Sequence, residues 1–224
     1  MASLDVNDDD FTPSRQDALK QAARDIAAML ARLVGVGLMV AFALTAGIWS
    51  SRTMINRGTD LTTDSYGPWR HWRYAGRTDA DPYTRAHLAG SGTIRISADG
   101  AGVFEAFTDT QGARLHSSCD YVLEGANLGA MWWSLAVYNS GGELIANDAS
   151  RYAFTRETAA LNPDGSFIVT LGRDARPGNW LPTGGAGRLV LVFTVLDPAT
   201  GLSPDARADR NTKLLPVIRR EGCS

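Results

Sequence analysis

Two carboxylates, Asp79 and Asp81, flank Ala80 just before Pro82, and i, i+2 spacing on an extended chain would aim both the same way. Such a pair could ligate Ca²⁺ or divide acid and base work, with Glu105 and Arg151 as further charged recruits for a glycan-cleaving site. The composition around them reads instead as a solvated turn. His71, His87 and His116 are far apart and lack HxH or HxxxH spacing, so they offer no zinc set. Gly184-Gly185-Ala186-Gly187 precedes a strand pattern and not a helix, which makes it a flexible connection and not a phosphate cradle. No GxSxG elbow occurs. These residues predict no metal and no cofactor, and they weigh against an enzyme.

Aromatic side chains supply better binding chemistry. Trp69, Trp72 and Tyr74 cluster within a few residues, and the adjacent Trp132 and Trp133 must face opposite sides of a strand. Exposed tryptophans can stack on sugar rings or fill a partner's pocket, although Trp69 and Trp72 could equally settle at a membrane interface or cover a sheet edge. Trp180 reads as a loop residue, and the following Leu181 and Pro182 extend an apolar segment that predicts a buried plug; the alternative is a binding anchor. The candidate binding residues are Trp133, Arg151, Tyr152 and Trp180.

What must position these groups begins with the uncharged apolar run over residues 33–49, interrupted back to Ala27 only by Arg32. A helix of that length crosses a hydrocarbon core of about 30 Å. The run is longer than a signal peptide's, and its Ala41-Phe42-Ala43 lies inside it, so the pattern predicts an uncleaved anchor. Arg15, Lys20, Arg24 and Arg32 precede it and Arg52 and Arg57 follow, which predicts a cytoplasmic N-terminus and an exported domain. Upstream, Asp8-Asp9-Asp10 reads as a solvated tail and Thr12-Pro13 as a helix start. Leu19, Ala22, Ile26, Met29 and Leu33 fall at helical spacing, so this amphipathic stretch either lies on the inner leaflet or packs on a partner helix. Ala27, Ala31 and Gly35, like Gly37 and Ala41, recur every four residues and admit self-association in the membrane.

Beyond the span the pattern turns to short β-rich runs over residues 92–97, 103–108, 121–123, 132–138, 166–171 and 188–196, with turns at Asp109-Thr110-Gln111-Gly112 and Asn162-Pro163-Asp164-Gly165. This spacing predicts an all-β sandwich large enough to bury its own core. The plan is an acidic cytoplasmic tail and amphipathic helix over 1–26, a transmembrane helix over 27–50, a linker over 51–65 and an extracytoplasmic domain over 66–224. The two cysteines, Cys119 and Cys223, form no CxxC and in an exported domain predict one disulfide, with residues 214–218 docking as a terminal strand. A net charge of −2 argues against nucleic acid as a partner.

Several elements recur in a recognisable order: Asp81-Pro82-Tyr83-Thr84-Arg85-Ala86, Trp133-Ser134-Leu135, Asn147 with Arg151-Tyr152, Leu161-Asn162-Pro163-Asp164-Gly165-Ser166, and Pro177-Gly178-Asn179-Trp180-Leu181-Pro182. Together they resemble the bacterial envelope family called domain of unknown function twelve-fourteen. The resemblance implies a mainly β, jelly-roll-like β-sandwich, often the C-terminal half of larger two-domain proteins. Here a membrane helix stands where the partner domain would be, and no activity carries over. Two function classes follow. One is a module of the bacterial inner membrane, in contact with the bilayer, whose periplasmic domain binds an envelope protein, glycan or lipid headgroup. The other is a small envelope enzyme acting on a glycan or related polymer.

Overall fold

A computed structural model describes residues 15–92, 96–97, 100–128, 131–196 and 213–223. The acidic tail, the Thr12-Pro13 helix start and residues 93–95 of the strand read over 92–97 lie outside the described residues, and Gly92, Ile96 and Ser97 are not in a strand. By internal contacts the chain divides into two compact units, Met1–Thr53 and Met54–Ser224.

The described residues of the first unit form one helix. Neither Pro nor a charge interrupts the apolar run, and α1 extends over Arg15–Arg57, 43 residues in all, with no buried residue. Among the described residues it is the one helix long and apolar enough to cross a membrane. Thr45 Oγ1 donates to the carbonyls of Ala41 and Phe42 at 2.9 and 3.0 Å, so the hydroxyl on this apolar face is satisfied by its own helix. The expected linker over 51–65 is largely structured: the helix continues to Arg57 and the first strand opens at Thr63. Gly58, at φ +68°, ends the helix in the left-handed region, and its N–H donates to Met54 O. Arg70 Nη1 donates to Arg57 O at 2.6 Å, which satisfies another terminal carbonyl.

The second unit holds two sheets. One runs β1(Thr63–Tyr66)–β2(Trp69–Trp72)–β3(Ala101–Ala106)–β9(Leu189–Leu196)–β5(Trp133–Asn139)–β6(Ala153–Thr155). The other runs β10(Val217–Cys223)–β4(Cys119–Gly125)–β7(Phe167–Gly172)–β8(Asn179–Pro182), and its β7–β8 pair is parallel. The mainly β reading with a long N-terminal helix therefore holds. Period-two alternation drives it, since Tyr121, Leu123, Phe167, Val169, Leu171, Leu191 and Phe193 are all buried while their neighbours face outward.

The sheets meet through aromatic rings. Trp133 of β5 stacks on Phe167 of β7 with centroids 4.2 Å apart, and Phe193 packs 6.0 Å from Trp133. Gly125, directly across from Phe167 in the β4–β7 register, leaves the space that this ring occupies: a Cβ built on Gly125 would lie 2.0 Å from the ring. Trp69 and Trp72 are also interior, each 1% exposed, which overturns their reading as surface or membrane-interface aromatics. The hairpin β1–β2 pairs Thr63 with Trp72 and Tyr66 with Trp69; three residues apart, the two indoles take opposite faces of β2, Trp69 packing on Phe193 in the core and Trp72 stacking on the His87 ring. Trp69 Nε1 finds a partner in Pro216 O at 2.7 Å.

The expected disulfide is present. Cys119 and Cys223 face each other at the end of the β4–β10 pair, with Cα atoms 3.9 Å apart, and close a separation of 104 residues. In the loop-entropy account a closure of that size contributes about 4–5 kcal/mol. The terminal strand lies at 217–223, a few residues later than 214–218. Its edge is covered by the Asp109 turn: Thr110 N donates to Ile218 O and Ile218 N to Thr110 Oγ1, both at 3.0 Å. Asp109, 2% exposed, accepts from Gln111 N and Ala113 N and pairs with Arg220 at 3.0 Å.

Gly125→Ala is expected to push Phe167 off the Trp133 ring and destabilise the domain by about 1–3 kcal/mol, the usual cost of overpacking a core. Denaturant unfolding together with near-UV circular dichroism checks this, and a variant that melts like the parent would mean the stack is not what sets the sheet spacing.

Candidate functional site

The four candidate binding residues separate in the structure. Trp133 is 2% exposed and belongs to the core stack. Trp180 lies on a strand, β8, and not in a loop; its register partner is Thr170 of β7. Alternation along the two strands buries Val169, Leu171, Leu181 and Asn179 and turns Ile168, Thr170 and Trp180 outward. Ile168 is 46% exposed and Trp180 half-buried, so the indole is neither a full plug nor a free flag. Its Nε1 donates to Gly172 O at 3.1 Å, which pins the ring against β7.

Arg151 does reach Trp180, though by its backbone: Nη1 donates to Trp180 O at 3.3 Å while the guanidinium sits 5.5 Å from the Phe154 ring. The loop holding Arg151 is closed by Asn147, whose amide donates to Ile145 O and Arg151 O and whose Oδ1 accepts from Arg151 N. Tyr152 follows at 36% exposure, and Val137 N donates to its carbonyl. Beside Trp180, a groove of about 220 Å³ is lined by Asn162, Ile168, Thr170, Pro177 and Gly178 among others. Buried Asn179 forms its base: Oδ1 accepts from Ala160 N at 2.7 Å, and Nδ2 donates to Ala160 O and Ile168 O. On the other side of the 161–165 turn, a cleft of about 340 Å³ opens between Asn127, Arg156, Leu161 and Asp164, with Trp133 in its floor. Hydrogen bonds from Ser166 Oγ and then Ser166 N hold the Asp164 carboxyl below the usual carboxylate range, so the rim carries this carboxylate beside the Arg156 guanidinium at neutral pH.

The carboxylates weighed for acid–base work are engaged elsewhere. Asp79 is held by Arg77 Nε and Nη2 at 2.8 and 2.9 Å, and that hydrogen bonding keeps its pKa low. Asp81 is the N-cap of a helix the sequence reading missed, α2(Pro82–Ser91), with Pro82 in the first turn. Desolvation pushes the Asp81 carboxyl up, but donation from Thr84 Oγ1, Thr84 N and Tyr83 N outweighs it and leaves the pKa lowered. Glu105 sits on β3 opposite Arg70 and Val192. The Asp-Pro pair followed by Thr84 carried the signal for this cap.

The histidines are likewise local. His71 Nδ1 donates to Val103 O, and His87 Nδ1 donates to Ile55 O while its ring stacks 4.0 Å from Trp72. His116 Nδ1 lies 2.9 Å from Ser118 Oγ and accepts from Ser118 N, which closes a tight turn. Among the described residues no group of His, Cys, Asp and Glu could hold a metal ion.

A disulfide-closed β-sandwich whose outward polar and aromatic groups form shallow grooves is the architecture these observations define. Residues 100–200 match the family described as Protein of unknown function (DUF1214), the family that the ordered motifs resemble. No curated protein matches it. Among solved structures it is similar to the VPA0106 protein from Vibrio parahaemolyticus, with a TM-score of 0.50 and 19% identity over 67% of this chain and 39% of that one. An uncharacterized protein from Burkholderia cenocepacia gives 0.44 and 16%, over 78% of this chain and 41% of its own. The chain thus spans about two fifths of either relative. At these identities the first likeness shows the fold alone.

Asp81→Ala is expected to cost about 1 kcal/mol through loss of the cap. Because the folded pKa is depressed, the ionised carboxylate's contribution is present above the unfolded pKa of about 3.9 and lost as pH falls through the folded value. Asp81→Asn should keep most of the cap and flatten that acid limb. Unfolding curves from pH 7 down to pH 3 check both, and an unchanged acid limb in the Asn variant would contradict the assignment.

Proposed function

We propose that this protein is a single-pass component of the bacterial inner membrane, with its N-terminus cytoplasmic and its β-sandwich, wound in the jelly-roll manner the family resemblance implies, in the periplasm. There the sandwich serves as a binding module for an envelope protein, glycan or lipid headgroup. One observation carries the reading: α1 leaves every apolar side chain from Ala18 to Trp49 exposed, and the chain after it folds into a disulfide-bonded domain. So large an apolar surface is stable in lipid and not in water, and a disulfide persists in an oxidising compartment and not in a reducing one. The excess of basic residues before the span sets the direction.

For recognition we favour the β7–β8 face. Trp180, held in place by Gly172 O, presents a rigid aromatic beside the Thr170 hydroxyl and the Ile168 side chain, a combination suited to a sugar ring or to an apolar anchor from a partner protein. The enzyme reading is set aside because Asp79 and Asp81 are engaged with Arg77 and the α2 backbone, and Arg151 with the Trp180 carbonyl.

A reporter active only outside the cytoplasm should work when fused after Ser224, and activity of a cytoplasmic reporter alone at that site would overturn the orientation. The binding surface is checked by affinity capture of the intact protein from membranes, with mass spectrometry of what accompanies it. Trp180→Ala should lose the captured component while lowering stability by less than the roughly 3–5 kcal/mol expected of a fully buried aromatic. A large stability loss with capture unaltered would make Trp180 a plug after all.

A further inference from the structure

The helix α1 is too long for the membrane it would cross. At about 1.5 Å per residue its 43 residues extend about 64 Å, against a hydrocarbon core of about 30 Å. At that rise about 20 residues match the core, as 30–49 do within the expected span of 27–50, which leaves 15–26 as helix beyond it on the N-terminal side and 27–29 at its edge. The apolar stripe that starts in this extension runs on into the span, and nothing within the first unit covers it: Leu19, Ile26, Met29, Leu30 and Leu33 are all exposed.

Three features decide what covers it. First, the helix is unbroken, and neither Pro nor Gly occurs from Arg15 to Val34, so the sharp bend needed to lay this segment on the leaflet has none of its usual causes. Second, the segment has no aromatic residue, whereas helices that lie in the interface commonly use Trp and Phe beside Leu on the buried face. Third, Leu19, Ala22, Ile26, Met29, Leu33 and Val36 alternate spacings of three and four, the a and d positions of a heptad. In that register Lys20 and Arg24 fall at b and f, on the outer side. Asp25 and Arg32 fall at g, while the facing e positions are uncharged Ala23, Leu30 and Gly37. From Leu19 to Val36 two parallel copies therefore bring no like charges together across the seam, which ends before Arg15, at the preceding d position; a single-pass topology makes a second copy parallel and at the same depth.

We infer that the N-terminal half of α1 is a self-association element: its Leu19–Ala22–Ile26–Met29 seam packs against the same seam of a second copy of this chain and continues into the span at Leu33 and Val36. The inference rests on the membrane-anchored reading above. It differs from association through the four-residue repeat of Ala27, Ala31 and Gly35, because those residues occupy the b, f and c positions, off the seam.

Both natural cysteines are paired, so an introduced cysteine is the only free thiol. Single substitutions Ala22→Cys, Ile26→Cys, Met29→Cys, Ala27→Cys, Ala28→Cys and Ala31→Cys in the full chain, oxidised mildly in native membranes, report the face. Covalent dimers several-fold stronger at 22, 26 and 29 than at 27, 28 and 31 are the expected result. Preference for 27 and 31 would assign association to the small-residue repeat and overturn the seam. Equal or absent cross-linking at all six positions would overturn self-association and leave the leaflet as the cover. Alkaline carbonate extraction of the same membranes separates the two readings: a chain retained in the pellet that fails to cross-link refutes only the seam, whereas a chain that is extracted refutes the anchor and with it this inference.

Discussion

The contact on which the domain depends is the stack of Trp133 on Phe167 across the two sheets, 4.2 Å between centroids. Large rings from facing strands can close to that distance only where a neighbour yields its volume, and Gly125 does so beside Phe167. Register follows from it. With Phe167 opposite Gly125, the pairs Val169–Leu123 and Leu171–Tyr121 fall on the same inner face, and Phe193 of β9 and Trp69 of β2 complete the wall opposite. A slip of one residue would turn that whole set toward solvent.

Polar residues hold the irregular parts of this frame. Asn147 closes the loop before β6, Asn179 ties the 160 segment to β8, Asp81 caps α2, and Asp164 with Ser166 shapes the turn into β7. These are the residues within the ordered motifs that resemble the family. Each bonds to groups of its own turn, cap or strand end, and at buried Asn179 such pairing is obligatory. The resemblance is thus one of fold hardware, which explains why it identifies the architecture and carries no chemistry with it. On the outward face of β7 and β8 the same pairing continues: Trp180 Nε1 donates to Gly172 O and Thr170 Oγ1 to Asn179 O.

The C-terminal strand shows how the fold protects an edge. Arg220 reaches the buried Asp109 and lies over Tyr121, the Asp109 turn bonds to Ile218, and the disulfide fastens the last turn of the pairing. Covalent, ionic and backbone contacts converge on seven residues that would otherwise fray as chain ends do.

Much of this was legible in the residues alone. Apolar run length marked the long helix, short β-rich runs between turn residues marked β3, β4, β5, β7 and β9, the Asn162-Pro163-Asp164-Gly165 turn stood out by composition, and two lone cysteines predicted their bridge. Those are local signals, or in the cysteines' case a count. The strands that were missed, β1, β2, β6 and β8, have only three or four residues, too few to show a period, and they form because longer strands offer them a partner. The helix α2 was hidden by a cap whose Asp-Pro signature also suits a turn. The fate of each tryptophan was decided by tertiary structure. Trp69 and Trp72 entered the core, Trp133 joined the stack, and Trp180 stayed on the rim. Which side of a strand faces inward depends on what the opposite sheet brings to meet it, and no single strand contains that information.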